Sequence, residues 1–150
     1  MNKRRIIFII ISCAWMSMIF YMSSRDADES EADSYKVGMA VGKIIVHDFE
    51  ELSETKQLEF AKRIDYPIRK AAHATEYAIL GMLLIGVFYP VKRFFWLSFL
   101  VSFLYSVTDE VHQLFVPGRS GQPLDVMIDS LGALAGILLL VGMIKLIGKK

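Results

Sequence analysis

Two short stretches concentrate the side chains able to do acid–base or anion chemistry. The first is Arg69-Lys70-Ala71-Ala72-His73-Ala74-Thr75-Glu76-Tyr77. The second runs from Ser106 to Asp125 and carries Asp109, Glu110, His112, Gln113, Arg119 and Asp125, with Asp129 one helical turn beyond. Arg69 and Arg119 suit a phosphate or a carboxylate, because a guanidinium presents a planar fork of donors that matches those anions. His73 or His112 can exchange a proton near neutral pH, with Glu76 or Asp109 fixing the tautomer. A divalent metal on Glu76, Asp109, Glu110 and the two histidines is the weaker reading. His73-Ala74-Thr75-Glu76 lacks a two-histidine zinc spacing, and the nearby arginines oppose a cation. No metal and no cofactor is therefore expected. The competing view of the whole cluster is a salt-bridge network that only orients helices, since buried ions must be paired whatever their purpose.

These polar stretches sit between apolar runs, and the runs decide the class of protein. Hydrophobic residues make up 54% of the 150 residues and the mean hydropathy is +0.42. A soluble chain of this size could not bury so much apolar surface, so lipid is the expected solvent. The net charge of +1, with no basic stripe and interleaved aromatics, gives no footprint for nucleic acid. A single cysteine, Cys13, excludes an intramolecular disulfide and a cysteine-based metal site.

Taken in order, the chain predicts an all-α membrane bundle of four spans in one domain covering residues 1–150. Lys3-Arg4-Arg5 precedes an apolar run at 6–22, about 25 Å long as a helix and long enough for a short crossing. No small-x-small cleavage site follows, so this run is read as an uncleaved span rather than a signal peptide. Residues 23–67 form a polar loop. Its acidic start, Ser23 to Glu31, is expected to be loose. From Ser34, the spacing of Val37, Val41, Ile44, Ile45, Phe49 and Leu52 predicts an amphipathic helix, and Ser53 is placed as the N-cap of a second helix, 54–64. These short helices are expected to lie on the membrane surface or to cap the bundle. Pro67 is expected to open a new helix at its first turn, leading into spans at 71–89, 94–112 and 126–147, with a break at Pro90-Val91-Lys92-Arg93. Gly132 and Gly136 give the small-residue spacing that lets another helix approach closely, within this chain or in a dimer.

On helices, Arg69, His73, Glu76 and Leu80 share a face with Tyr77 on its flank; Tyr105, Asp109, His112 and Gln113 share another; Asp125, Asp129, Gly132 and Gly136 share a third. Ionisable groups at membrane depth face a bundle interior. One polar pocket is therefore expected, lined by Arg69, His73, Glu76, Asp109, Glu110, Arg119 and Asp125, with a Val116-Pro117-Gly118-Arg119-Ser120-Gly121 turn above it, because Pro-Gly and Ser-Gly are turn dipeptides. Charge sets its side. The N-terminus, the Pro90 loop and the C-terminus carry Lys3, Arg4, Arg5, Lys92, Arg93, Lys145, Lys149 and Lys150 and no acid. The positive-inside rule then puts both termini in the cytoplasm and the pocket outside.

At these residues the chain resembles the VanZ-like family of small bacterial membrane proteins. The resemblance rests on Arg69-Lys70-x-x-His73-x-x-Glu76-Tyr77-x-x-Leu80-Gly81, on Asp109-Glu110-x-x-Gln113-x-Phe115-Val116-Pro117-Gly118-Arg119-x-Gly121, and on Asp125-Val126 with Gly132 and Gly136. Tyr21-x-Ser23-Ser24 after the first span also fits. The family often has Asn where this chain has Asp129. The resemblance implies a multi-pass protein of the bacterial cell membrane and a part in low-level teicoplanin resistance. As partners it leaves the bilayer and a lipid-linked or anionic envelope component, with an oligomer open. It implies no catalytic residue.

Overall fold

The computed structural model describes residues 2–148. Lys149 and Lys150, which contribute to the charge count above, lie outside them. Five α-helices follow one another: α1 (Lys3–Ser23), α2 (Ala27–Ile45), α3 (Glu54–Phe88), α4 (Phe94–Gln113) and α5 (Pro123–Ile147), with a short 3₁₀ turn at Phe49–Glu51. No strand occurs among the described residues. The helices α1, α3, α4 and α5 are each long and apolar enough to cross a membrane.

Their packing is the reverse of a soluble bundle. Large apolar residues lie exposed on the perimeter, among them Ile7, Ile10, Trp96, Leu100, Leu104, Leu131, Leu138 and Leu139. The interior of α4 is instead a stripe of small hydroxyls, Ser98, Ser102 and Ser106, all fully buried. Ser98 donates to the Phe94 carbonyl and Ser102 to the Ser98 carbonyl, so these two satisfy themselves on their own helix, while the Ser106 hydroxyl has no partner. Lipid offers no hydrophobic drive for helices to associate, and small residues let backbones close up instead.

The α3–α5 pair is the closest. A Cβ on Gly132 would stand 2.2 Å from the Ala74 carbonyl oxygen, and one on Gly136 would stand 2.1 Å from that of Ala78. The two glycines therefore serve packing within the chain. On the other flank of α3, Ile19, Tyr77, Leu80, Leu84, Val87 and Ala133 form the buried core, with Trp15 and Met16 of α1 and Tyr105 of α4 against it. Trp15 Nε1 donates to the Glu76 carbonyl at 2.9 Å and the Tyr105 hydroxyl to the Met16 carbonyl at 2.6 Å, pinning α1 to α3 and to α4.

The amphipathic helix expected through Phe49 and Leu52 ends at Ile45, and those two residues lie in and just after the 3₁₀ turn. The stretch before Arg69 differs from the sequence expectation in two further ways. First, the acidic start is ordered: α2 begins at Ala27, and Asp26 caps it by accepting from the Glu29 amide at 2.8 Å. Second, Pro67 does not open a helix. It lies inside α3, a single helix of 35 residues that begins after Ser53 and runs through the proline. An interior proline removes one backbone hydrogen bond and crowds the preceding turn, costing about 3 kcal/mol. Packing by α2 on the segment before it offsets that cost. Gly38 of α2 sits so close to Ala61 that an added Cβ would be 3.1 Å from its Cα, and Ser34 of α2 hydrogen-bonds Asp65. The result is one rigid rod that projects from the bundle, with α2 laid along the projection.

Candidate functional site

The polar residues meet at the end of the bundle that carries α2. The other end holds Arg4, whose guanidinium lies 5.4 Å from the ring centre of Tyr89, next to the Pro90 break. Three helices and one loop bring the groups together. His73, Glu76 and Tyr77 come from α3, Asp109 and Gln113 from α4, and Asp125 and Asp129 from α5, while Arg119 hangs from the α4–α5 loop. That loop is shaped by Val116-Pro117-Gly118-Arg119. The Arg119 amide donates to the Val116 carbonyl, and Gly118 has a φ of +71°, the conformation a type II turn demands at its third residue. The Ala27 amide donates to the Pro117 carbonyl, which fastens the turn to the start of α2.

Two adjoining cavities open here. One, of about 170 Å³, lies between α2 and α3 and has Ser30, Asp33, Ser34, Arg69, His73, Glu76 and Arg119 in its wall. The second, of about 200 Å³, lies between α3 and the α4–α5 loop, beside Arg69, Lys70, His73, Gln113, Arg119 and Asp125. Arg69, His73 and Arg119 belong to both.

Several acids and bases are matched in pairs. Arg69 bridges to Asp65 at 2.7 Å on its own helix. Lys70 pairs with Asp125 and so ties α3 to the first turn of α5. The Arg119 Nε donates to the Arg25 carbonyl at 3.1 Å, which leaves its terminal nitrogens toward the cavities without a carboxylate in ion-pair range among the described residues. Burial is the largest influence on Arg119 and draws its pKa below the usual guanidinium value; Arg69 nearby acts in the same direction. The loop therefore holds a positive charge that lacks full compensation, an arrangement suited to an anion.

The remaining predicted residues divide. Asp109 is 2% exposed and accepts from the Ser23 hydroxyl at 2.9 Å through Oδ2, while Oδ1 has no partner. Asp129 is 1% exposed and neither of its oxygens has a partner. Tyr77 is fully buried with its hydroxyl unpaired. His73 lies 3.7 Å from Glu76 and falls outside hydrogen-bonding range. A ring nitrogen of His73 and one oxygen each of Asp109 and Asp129 lie within 4.8 Å of one another, a set able to hold a cation.

Glu110 and His112 stand apart from that centre. Glu110 accepts from the Gln122 amide at 2.8 Å, capping the entry to α5, and from Gln113 at 3.4 Å. The His112 ring packs on Phe20 with centroids 4.4 Å apart. Sequence reasoning did not single out Lys70, Ser23 or Arg25, or the face of α2 that walls the first cavity. Ser30, Ser34 and Val37 recur at helical spacing, and that was the available signal.

A bundle of candidate spans with small residues inside, and a polar pocket sunk into one end, defines a multi-pass α-helical membrane protein. A family model described as VanZ/LLP1 matches residues 8–146, nearly the whole chain, and the protein belongs to that family. No curated protein and no solved structure matches it.

Proposed function

We propose that this protein is a cell-envelope factor that binds an anionic, phosphate-bearing envelope component at the Arg69–Arg119 pocket and thereby lowers susceptibility to teicoplanin-type lipoglycopeptides. One observation carries the reading: the two cavities share Arg69, His73 and Arg119, and the second adds Lys70 against the single carboxylate Asp125 in its wall. A lipid-linked precursor carries its phosphates just above the hydrocarbon layer, and guanidinium donors at that depth fit them. Lys3, Arg4, Arg5, Lys92 and Arg93 all lie at the opposite end of the bundle. By the positive-inside rule that end faces the cytoplasm and the pocket faces outward.

The test is teicoplanin susceptibility in a deletion strain complemented with wild type, Arg119→Lys, Asp109→Asn or Asp125→Asn, with membrane levels checked by blot. Arg119→Lys keeps the charge and loses the fork. It should accumulate normally and protect poorly, with affinity for the anion down roughly tenfold. If deletion leaves both teicoplanin susceptibility and the envelope-lipid profile unchanged, the proposal fails.

A second reading has its own support. Glu110 caps α5, Arg119 binds the Arg25 carbonyl and Lys70–Asp125 joins two helices, so much of the polar set already serves the fold. In a scaffold of that kind Arg119→Lys and Asp125→Asn would protect as well as wild type whenever they accumulate.

A further inference from the structure

We propose that His73, Asp109 and Asp129 form a binding site for a divalent first-row transition-metal ion of the zinc or manganese type, joining α3, α4 and α5 beneath the pocket. Each residue offers one ligand atom, and the three atoms lie within 4.8 Å of one another. Ligand atoms about 2.1 Å from a tetrahedral ion stand roughly 3.4 Å apart, so the three side chains close in by up to about 0.8 Å each on binding.

Two features beyond proximity point to a cation. Asp129 is 1% exposed with both carboxylate oxygens unpartnered, and Asp109 is 2% exposed with Oδ1 unpartnered; the His73 Nδ1 is also buried without a hydrogen bond. Groups of this kind are expensive to bury unless they are paired or coordinate a metal. Two of the organic cations nearby are committed to other carboxylates, Arg69 to Asp65 and Lys70 to Asp125, while Arg119 donates through its Nε to the Arg25 carbonyl and keeps its charge. The objection that neighbouring arginines repel a cation thus weakens for Arg69, and Arg119 is left as the opposing charge.

Two carboxylates neutralise a divalent ion, and one imidazole nitrogen with two carboxylate oxygens favours zinc, manganese or iron over calcium, which seeks six or more oxygens. Ser23 donates to the far oxygen of Asp109, the outer hydrogen bond that typically aims a liganding carboxylate. Three protein ligands leave coordination positions open. His73 also walls both cavities, so the site adjoins the pocket, while Asp109 and Asp129 line neither.

The experiment uses the full chain purified in detergent through a tag that binds no metal. It is stripped with a chelator and dialysed against micromolar Zn²⁺ or Mn²⁺, then read by elemental analysis and by thermal unfolding. Wild type should retain about one ion per chain and unfold at higher temperature with metal than without it, because an ion that binds only the folded state stabilises it. Asp129→Asn and Asp109→Asn should each lower metal affinity at least about tenfold and abolish the thermal shift. Asp129→Asn removes a buried charge at constant shape, so its metal-free form should unfold no earlier than metal-free wild type, which separates loss of a ligand from loss of fold. His47→Ala, on an exposed site remote from the cluster, should bind like wild type. The proposal is overturned if folded wild type retains no metal, or if Asp129→Asn retains as much as wild type. No envelope component enters the measurement, so its outcome is independent of the anion-binding reading.

Discussion

At the scale of single residues, the site is a question of which acid finds which base. Four positively charged side chains, Arg25, Arg69, Lys70 and Arg119, crowd the capped end of the bundle; the first three each have a carboxylate partner, and Arg119 bonds only the Arg25 carbonyl. The Lys70–Asp125 pair is the most enclosed of the ion pairs between elements, with side chains 20% and 13% exposed. Breaking such a pair strands a charge, whereas replacing both partners by apolar groups is tolerated. Lys70→Met should therefore destabilise the protein by on the order of 3 kcal/mol, and Lys70→Met with Asp125→Leu should recover most of that loss. Denaturant titration in detergent micelles, comparing the single and double variants, measures both. If the single variant costs nothing, Asp125 is not held by Lys70 and the link between α3 and α5 is wrongly assigned.

At the scale of elements, two interfaces decide the architecture. The first is α3 against α5, where Gly136 leaves no room for a Cβ beside the Ala78 carbonyl. Gly136→Ala should force the helices apart and cost roughly 1–3 kcal/mol. Gly142→Ala, with nothing within 4 Å, should be neutral or slightly stabilising, as helix propensity alone predicts. Equal effects in an unfolding series would dismiss close packing as the reason for the glycine. The second interface is α2 on the projecting part of α3; the start of α2 is itself tied to the chain just before it by Arg25 and Asp33. The Arg25 hydrogen bond is the largest influence on Asp33 and holds its carboxyl below the ordinary value of 3.8, with Lys36 at 3.2 Å assisting. A carboxyl depressed in the folded state contributes stability above its ordinary pKa, and that contribution is lost as the pH falls through the depressed value. The start of α2 should therefore loosen below about pH 4, seen as faster amide exchange in its first turns. Asp33→Asn should show the loosened state at neutral pH and lose the pH dependence.

At the scale of the molecule, the bundle has two unlike ends, one with Arg4 and the Pro90 break, the other with α2 and the polar pocket. The proposed orientation predicts that, in a Cys13→Ser background, Glu50→Cys reacts with a membrane-impermeant maleimide in intact cells. Lys92→Cys should react only after permeabilisation. The opposite pattern would turn the pocket toward the cytoplasm and remove surface envelope components from consideration. The inside-out distribution of side chains also makes a membrane the natural setting: Ser98, Ser102 and Ser106 are fully buried while Trp96, Leu100 and Leu104 are exposed on the same helix.

Much of this protein was legible in its sequence because lipid imposes a simple rule. A segment that crosses must be apolar over about 20 residues, so the four long helices stood out as runs, and the family-like stretches at Arg69–Tyr77 and Asp109–Arg119 marked where polarity gathers. Turn chemistry was equally local, and Val116-Pro117-Gly118-Arg119 folds as its dipeptides require. The tertiary structure alone decided what depends on neighbours distant in the chain. Continuity of α3 through Pro67 rests on α2 packing before it, a contact that no local preference encodes. The role of Gly132 and Gly136 within the chain, rather than between chains, follows from the carbonyls of Ala74 and Ala78 that fill their space. The partners of the charges were also undetermined by order, because electrostatic pairing acts through space. Lys70 rather than an arginine took Asp125, Glu110 turned away to cap α5, and Asp129 was left with no partner at all among the described residues.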